Sequence, residues 1–114
     1  MSTPATRPTN ADAFEVLSTQ LEEACGTLRA MANETRLKIM CTLTNGEMPV
    51  HQLAATAGQS LSAVSQHLAK LRAEGLVETR RDAQTIYYRI VDGVGNAIID
   101  TLCNYYGEGP VGEA

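Results

Sequence analysis

HQLAATAGQSLSAVSQHLAKLRAEGLVETRRDAQTIYYRI, residues 51–90, places two helices, a glycine turn and two strands in one short span. Leu53, Ala54 and Ala57 share one side of a helix that starts near Val50, and Gly58 stops it. Ser60 supplies the N-cap of a second helix running to Glu74, with Gly75 as its C-terminal stop. Two helices joined by a short glycine turn form the helix-turn-helix pattern. Beyond it, Leu76-Val77-Glu78-Thr79-Arg80 alternates weakly, and Thr85-Ile86-Tyr87-Tyr88-Arg89-Ile90 is rich in strand formers. Arg81-Asp82-Ala83-Gln84 is expected to turn between them, making the hairpin the wing of a winged helix.

The second helix has two unlike sides. At about 100° per residue, Leu61, Val64, Leu68 and Leu71 fall together and are expected to pack inward. The opposite side carries Ser62, Ala63, Gln66, Ala69, Lys70 and Ala73. Small and polar side chains let a helix lie deep in the major groove of duplex DNA, and a glutamine can pair two hydrogen bonds with adenine. Gln59, Ser60, Ser62 and Ser65 suit phosphate or base contacts near the helix start, where backbone N–H groups also favour anions. Lys70 suits a phosphate. Arg80, Arg81 and Gln84 on the hairpin are placed to reach the DNA backbone or minor groove, and His67 sits at the flank. The plainer alternatives are a wet helix face for Ser62 and Gln66, a solvated turn for the arginines, and a histidine packed between helix and wing.

Outward from this span the chain reads as helical packing. Phe14, Leu17, Leu21, Ala24, Leu28 and Met31 repeat at 3-4-3-4-3 spacing, the mark of one helix over 11–31 with a narrow apolar seam. Asn33 can cap the next helix, on which Leu37, Met40, Cys41 and Thr44 line one face, widened by Ile39 and Leu43. Asn45-Gly46 ends it with a left-handed cap, and Glu47-Met48-Pro49 links to the helix at Val50. Asp92 is expected to cap a last helix, apolar around much of its girth from Val94 to Tyr106, and such a helix needs a partner surface. Residues 1–10 and 107–114 read as flexible tails around a domain over 11–106. The architecture expected is mainly α with a small β-hairpin: a winged helix-turn-helix of five helices plus wing.

A chain of 114 residues suits one small domain that gains stability by pairing. Its net charge of −4 argues at first against a polyanionic partner, but the distribution matters more than the sum. Residues 60–90 carry five basic and three acidic side chains, a net +2, leaving −6 for the remainder. Neither a membrane-spanning run nor a signal-peptide layout is present, so a cytoplasmic protein is expected. Three cysteines, Cys25, Cys41 and Cys103, form no C-x-x-C and no zinc-finger spacing, and an odd count argues against a disulfide framework.

At LRAMANETRLKIMCTL and GQSLSAVSQHLAKLRAEGLVETRRDAQTIYYRI the sequence resembles the ArsR/SmtB family of winged-helix repressors, over roughly residues 21–106. The resemblance implies a homodimer paired through its first and last helices, bound to a palindromic double-stranded DNA operator and released by an inducer. Within the family the details look most like the BigR/HlyU/SqrR branch, which is metal-independent and responds to persulfides or oxidants. That branch has one cysteine in the second helix, matched by Cys41, and one late in the last helix, about a turn beyond Cys103, where this chain has Gly107. Cys103 keeps the same helix face but lies about 6 Å back along the axis. A direct Cys41–Cys103 bridge needs Cα atoms within about 7 Å, a polysulfide bridge spans more, and Cys25 is an alternative partner.

A metal inducer fits poorly. The chain has only His51 and His67, Asp100 stands without a histidine beside it, and MPVHQLA lacks the family's cysteine pair. A three-thiol site for arsenite or another soft ion, from Cys25, Cys41 and Cys103, is the alternative; no cofactor is expected. A winged-helix protein-interaction module is a remoter alternative, expected to show an apolar or acidic face instead of serine and glutamine. An enzyme is not expected, since no phosphate loop and no nucleophile or carboxylate constellation exists.

Overall fold

The structure, a computed structural model, describes residues 10–107. In chain order its elements are α1 (Asn10–Ser18), α2 (Leu21–Met31), α3 (Glu34–Leu43), β1 (Met48–Pro49), α4 (Val50–Ala57), α5 (Leu61–Ala73), β2 (Val77–Asp82), β3 (Thr85–Ile90) and α6 (Val94–Leu102). A π-helical turn, Cys103–Gly107, continues α6. The tails expected at 1–10 and 107–114 lie outside the described residues, apart from Asn10 in α1 and Gly107 in the π turn.

The mostly helical winged helix-turn-helix is present, with six α-helices among the described residues where five helices were expected. The difference is a break in the first one. Ser18 Oγ donates to the Glu15 carbonyl at 2.9 Å and Thr19 Oγ1 to the Val16 carbonyl at 2.8 Å. Hydroxyls that bond back to carbonyls three residues earlier compete with the helical ladder, and α1 stops there. The chain restarts as α2, with Ala24 N–H bonded to the Gln20 carbonyl. The apolar seam crosses this break: Phe14, Leu17, Leu21 and Leu28 stay exposed, while Met31 is buried.

Capping follows local chemistry. Asn33 Oδ1 accepts the Arg36 N–H at 3.0 Å and opens α3. Gly58 closes α4 in the left-handed region at φ 70°, and Gly75 takes φ 73° just past α5, where the Leu76 N–H returns to the Leu71 carbonyl. Gly46 also has positive φ, 136°, but it lies past Thr44, the residue that closes α3, and is not itself the left-handed cap expected. Asp92 does not cap α6. The helix starts two residues later with Gly93 at its cap position, and the Asp92 carboxylate accepts from the Asn96 side-chain amide.

The core gathers around α3, which packs on α2, α4, α5, α6 and β3. Its buried stripe is Ile39, Met40 and Leu43. Cys41 and Thr44, expected on that face, are exposed, because Cys41 is rotated about 100° from Met40 around the helix. From α5 the core takes Val64, Leu68 and Leu71. Leu61 does not join them: it is 52 % exposed, in the first turn of α5 and ahead of the buried stripe. Against α6 the chain packs closely at Gly95, where an added Cβ would lie 2.6 Å from Leu76 Cδ2.

The sheet is antiparallel in the order β1-β3-β2. The two-residue strand β1 was read from sequence as a linker; it pairs Met48 with Tyr88 and Pro49 with Tyr87. The wing turn is tighter than expected, because Arg81 and Asp82 remain in β2 and only Ala83 and Gln84 turn. Ala83 holds φ 59°, a region that costs a residue with a Cβ roughly 1–2 kcal/mol.

Candidate nucleic-acid interface and thiol pair

The turn between α4 and α5 sets the exposed ridge. Ser60 Oγ accepts the Ala63 N–H at 3.0 Å, so this hydroxyl acts first as a helix cap. With Val64, Leu68 and Leu71 holding one side inward, Ser62, Ser65, Gln66, Ala69 and Lys70 are exposed and Ala63 is half-buried. Gln59 is turned partly into the chain, its amide nitrogen donating to Thr35 Oγ1 at 3.0 Å.

His67 meets α3, not the wing. Arg36 Nη1 lies 3.2 Å from His67 Nδ1. A guanidinium only donates, so Nδ1 is the acceptor and the ring proton sits on Nε2. The same Arg36 donates through Nε to the Ala30 carbonyl, closing the end of α2. Burial first, then the charges of Arg36 and Lys70, hold the His67 pKa below its ordinary value. The unfolded chain therefore binds this proton more readily than the folded one, and the stability present above the ordinary pKa of 6.5 falls as pH drops through it. Lowering the pH from about 7.5 to about 5.5 is expected to lower Tm, and to lower it less in a His67→Gln variant, whose amide keeps an acceptor for Arg36. Equal losses in both would remove His67 as the cause.

On the wing the two neighbouring arginines part company. Arg80 reaches back to Glu47 with a bidentate pair, 2.6 Å from Nη2 and 3.1 Å from Nε, and its guanidinium lies 4.7 Å from the centre of the Tyr87 ring. That guanidinium holds the Glu47 carboxyl below its usual range. Arg80, expected to reach the DNA backbone or minor groove, is exposed and also paired with Glu47, which precedes strand β1. Arg81 and Gln84 remain exposed at the wing tip, and Arg89 is paired with Glu78 at 2.6 Å.

The two later cysteines come together. Cys41 Sγ, on α3, lies 2.9 Å from Cys103 Sγ, the first residue of the π turn. Hydrogen bonding to Cys41, then burial, then the charges of Cys41 and Asp100 push the Cys103 thiol up to about 11. The Cys103 thiol is thus held in its protonated form, either sulfur can donate in the contact between them, and Cys41, the more exposed of the two, is the sulfur open to an electrophile. Of the two cations close to Cys41 in sequence, Arg36 is turned to α2 and α5, while Lys38 borders the same cleft as the sulfurs. The cleft holds about 510 Å³ and is walled mainly by Leu37, Ile99, Leu102 and Tyr106.

Cys25 stands apart on α2, exposed and unbridged. Among the described residues no three of His, Cys, Asp or Glu are gathered as a metal site, so the three-thiol arrangement is not assembled within one chain. Sequence reasoning missed Arg36, Thr35 and Glu47 as supports of the interface; each acts through a partner more than twenty residues away, which no local pattern marks.

Residues 33–79 match the model of the bacterial regulatory protein family arsR. The chain is 52 % identical over 87 residues to the nodulation protein NolR of Rhizobium meliloti, covering 76 % of this chain and 71 % of NolR. It is 47 % identical over 79 residues to the transcriptional activator HlyU of Vibrio cholerae, covering 69 % of this chain and 73 % of HlyU. The solved structure of reduced HlyU overlays with a TM-score of 0.75 at 41 % identity, covering 81 % of this chain and 97 % of HlyU. The homodimeric winged helix-turn-helix domain of Mb0332 from Mycobacterium bovis overlays with a TM-score of 0.71 at 28 % identity, covering 95 % and 92 %. HlyU and Mb0332 are named as regulators and not as enzymes, in line with what the sequence predicts for this chain. With its winged helix, its outward serine-glutamine ridge and relatives of this identity and coverage, the chain belongs to the arsR family of bacterial regulatory proteins.

Proposed function

We propose that the chain is a homodimeric, cytoplasmic repressor that binds a palindromic DNA operator and lets go when Cys41 and Cys103 react with a persulfide, polysulfide or oxidant. The carrying observation is the 2.9 Å separation of the two sulfurs. They need approach by only roughly 0.9 Å to form a disulfide of ordinary length, and an inserted sulfur atom would need them to part slightly.

The DNA half of this reading rests on α5. Ser62, Ser65, Gln66 and Lys70 stand clear of the core on the helix that follows the glycine turn, with Arg81 and Gln84 exposed on the wing beside it. Gln59, Ser60 and Ala63 border the same helix start. Arg80 and His67, assigned from sequence to the contact set, act in this reading as braces of the wing and of α5.

Pairing is supported by exposed apolar surface on the first and last helices. Phe14, Leu28 and Val94 are each more than half exposed, and Leu28 and Val94 line a groove with Leu17, Ala24 and Ile98. The homodimeric state of Mb0332 supports the same arrangement here. Helix α6 thus carries the pairing face on one side and leads directly into Cys103. A covalent tie to α3 would load both the dimer face and, through α3, the helix-turn-helix. The two recognition helices must sit about 34–36 Å apart to enter successive major grooves, so a shift of the pairing helices is felt directly as lost affinity.

Soft-ion sensing is the second reading. It is less favoured because Cys25 lies away from the pair. An interaction module without DNA binding would need an apolar or acidic α5 face, whereas the exposed polar residues of α5 are serines, a glutamine and the basic Lys70 and Arg72, with no acid among them.

The test is duplex binding by the wild type and by Cys41→Ser/Cys103→Ser, before and after polysulfide. Both reduced proteins should bind alike, with affinity falling steeply with salt. Polysulfide should release the wild type and leave the variant bound. Release of the variant would remove the dithiol from the mechanism, and binding indifferent to salt would remove DNA as the partner.

A further inference from the structure

We propose that the apolar cleft beside Cys41 and Cys103 admits bulky organic hydroperoxides and presents them to the thiol pair, so that the chain reacts with these oxidants in preference to hydrogen peroxide. The inference rests on the thiol-sensor reading and names one substrate class for it.

Three observations carry it. The cleft, about 510 Å³, falls in the range of about 300–1,000 Å³ usual for small-molecule sites. Its wall is almost wholly carbon, from Leu37, Ile99, Leu102 and Tyr106, and the two sulfurs open into it. Lys38 and Glu34 are exposed where they border it, so the polar groups stand at the rim and not across the floor. A small polar oxidant gains nothing from such a wall. An alkyl or aryl group gains about fourfold in occupancy for each methylene buried. The second thiol at 2.9 Å decides the reaction type: an alkylating electrophile would use one sulfur, whereas a two-electron oxidant uses both.

The chemistry balances. The Cys41 thiolate attacks the outer oxygen of ROOH; the S–O bond forms, the O–O bond breaks, and RO⁻ leaves. Cys103, whose sulfur lies 2.9 Å from that of Cys41, protonates the departing alkoxide to ROH and becomes a thiolate. It then attacks the Cys41 sulfenic acid, forming the S–S bond and expelling hydroxide. The pair is oxidised by two electrons and the hydroperoxide is reduced by two. Hydroxide and alcohol leave the cleft, and no further reactant is needed.

The experiment compares cumene hydroperoxide, hydrogen peroxide and polysulfide on the reduced full chain, reading the rate at which the Cys41–Cys103 bridge appears by peptide mapping. Burial of three methylene equivalents predicts that cumene hydroperoxide reacts about 60-fold faster than hydrogen peroxide. Filling the cleft with Leu102→Trp, or more gently with Leu37→Phe, should slow the cumene hydroperoxide reaction about tenfold or more and change the hydrogen peroxide rate less than about twofold. Equal wild-type rates for the two peroxides overturn the proposal; that is the result expected if a second copy of the chain covers the cleft. A bridge formed by polysulfide with no preference for the bulky peroxide overturns this inference alone. No bridge with any of the three overturns the thiol-sensor reading as well.

Discussion

Replacing Gln66 by alanine is expected to weaken binding to a duplex selected by the wild type by about 5- to 150-fold, equivalent to roughly 1–3 kcal/mol for a lost bidentate base contact. The side chain stands on the exposed face of α5, one residue before His67, which is tied to Arg36, and two before Leu68, which is fully buried. The helix is therefore held on one side while Gln66 projects from the other. The loss should be largest against the selected sequence and small against unrelated duplex. Lys70→Ala should weaken both about equally and reduce the salt slope by about one ion. Equal weakening of selected and unrelated DNA by Gln66→Ala would mean that Gln66 contacts only the backbone.

Leu68→Ala is the substitution expected to cost most in stability. Leu68 is 0 % exposed beneath the ridge, on the helix that packs against α3, α4 and β2. Removing its branch leaves a cavity in that layer, and such truncations cost about 2–5 kcal/mol. For a domain of this size that is a fall in Tm of roughly 8 °C or more, read at fixed protein concentration because pairing contributes to stability. Leu61→Ala, on the same face by helical periodicity but half exposed, should change stability by less than about 0.5 kcal/mol. Comparable losses at the two positions would contradict the packing of α5 described above.

The contrast between Leu61 and Leu68 also marks where the sequence could be read and where it could not. Caps and stops were legible because their chemistry is local: Asn33 and Ser60 each accept the N–H of the third residue on, and Gly58 and Gly75 adopt φ values that glycine reaches without strain. The inward side of α5 followed from the repeat of Val64, Leu68 and Leu71, but periodicity carries no information on where along the helix the core ends, so Leu61 was misplaced. The break after Ser18 depends on two hydroxyls folding back onto carbonyls, and a seam that continues in register across it hides the interruption. Strand β1 spans only two residues and one is proline, too little for any propensity to register. Missing it meant missing the Glu47–Arg80 pair, and with it the difference between a wing arginine held by a carboxylate and its exposed neighbour at the tip.

The thiol pair was named from the family resemblance, but its geometry was not legible. Counting residues along a regular α-helix puts Cys103 a full turn from the place the family resemblance suggests. The structure brings the sulfur to Cys41 nonetheless, with α6 giving way to a wider π-helical turn at Cys103 itself. Such turns are rare and often mark functional positions. Nothing in CNYYG announces one.

In the proposed function, bridging of Cys41 to Cys103 and release of DNA are one event. The direct measurement follows both on the same sample: operator-bound protein is treated with a limiting amount of polysulfide or hydroperoxide, release is recorded by fluorescence anisotropy, and quenched aliquots are mapped for the linked Cys41 and Cys103 peptides. Coincident time courses, with no linked peptide containing Cys25, are the predicted result. Release that is complete before the bridge appears, or a fully bridged protein still holding its duplex, would contradict the claim.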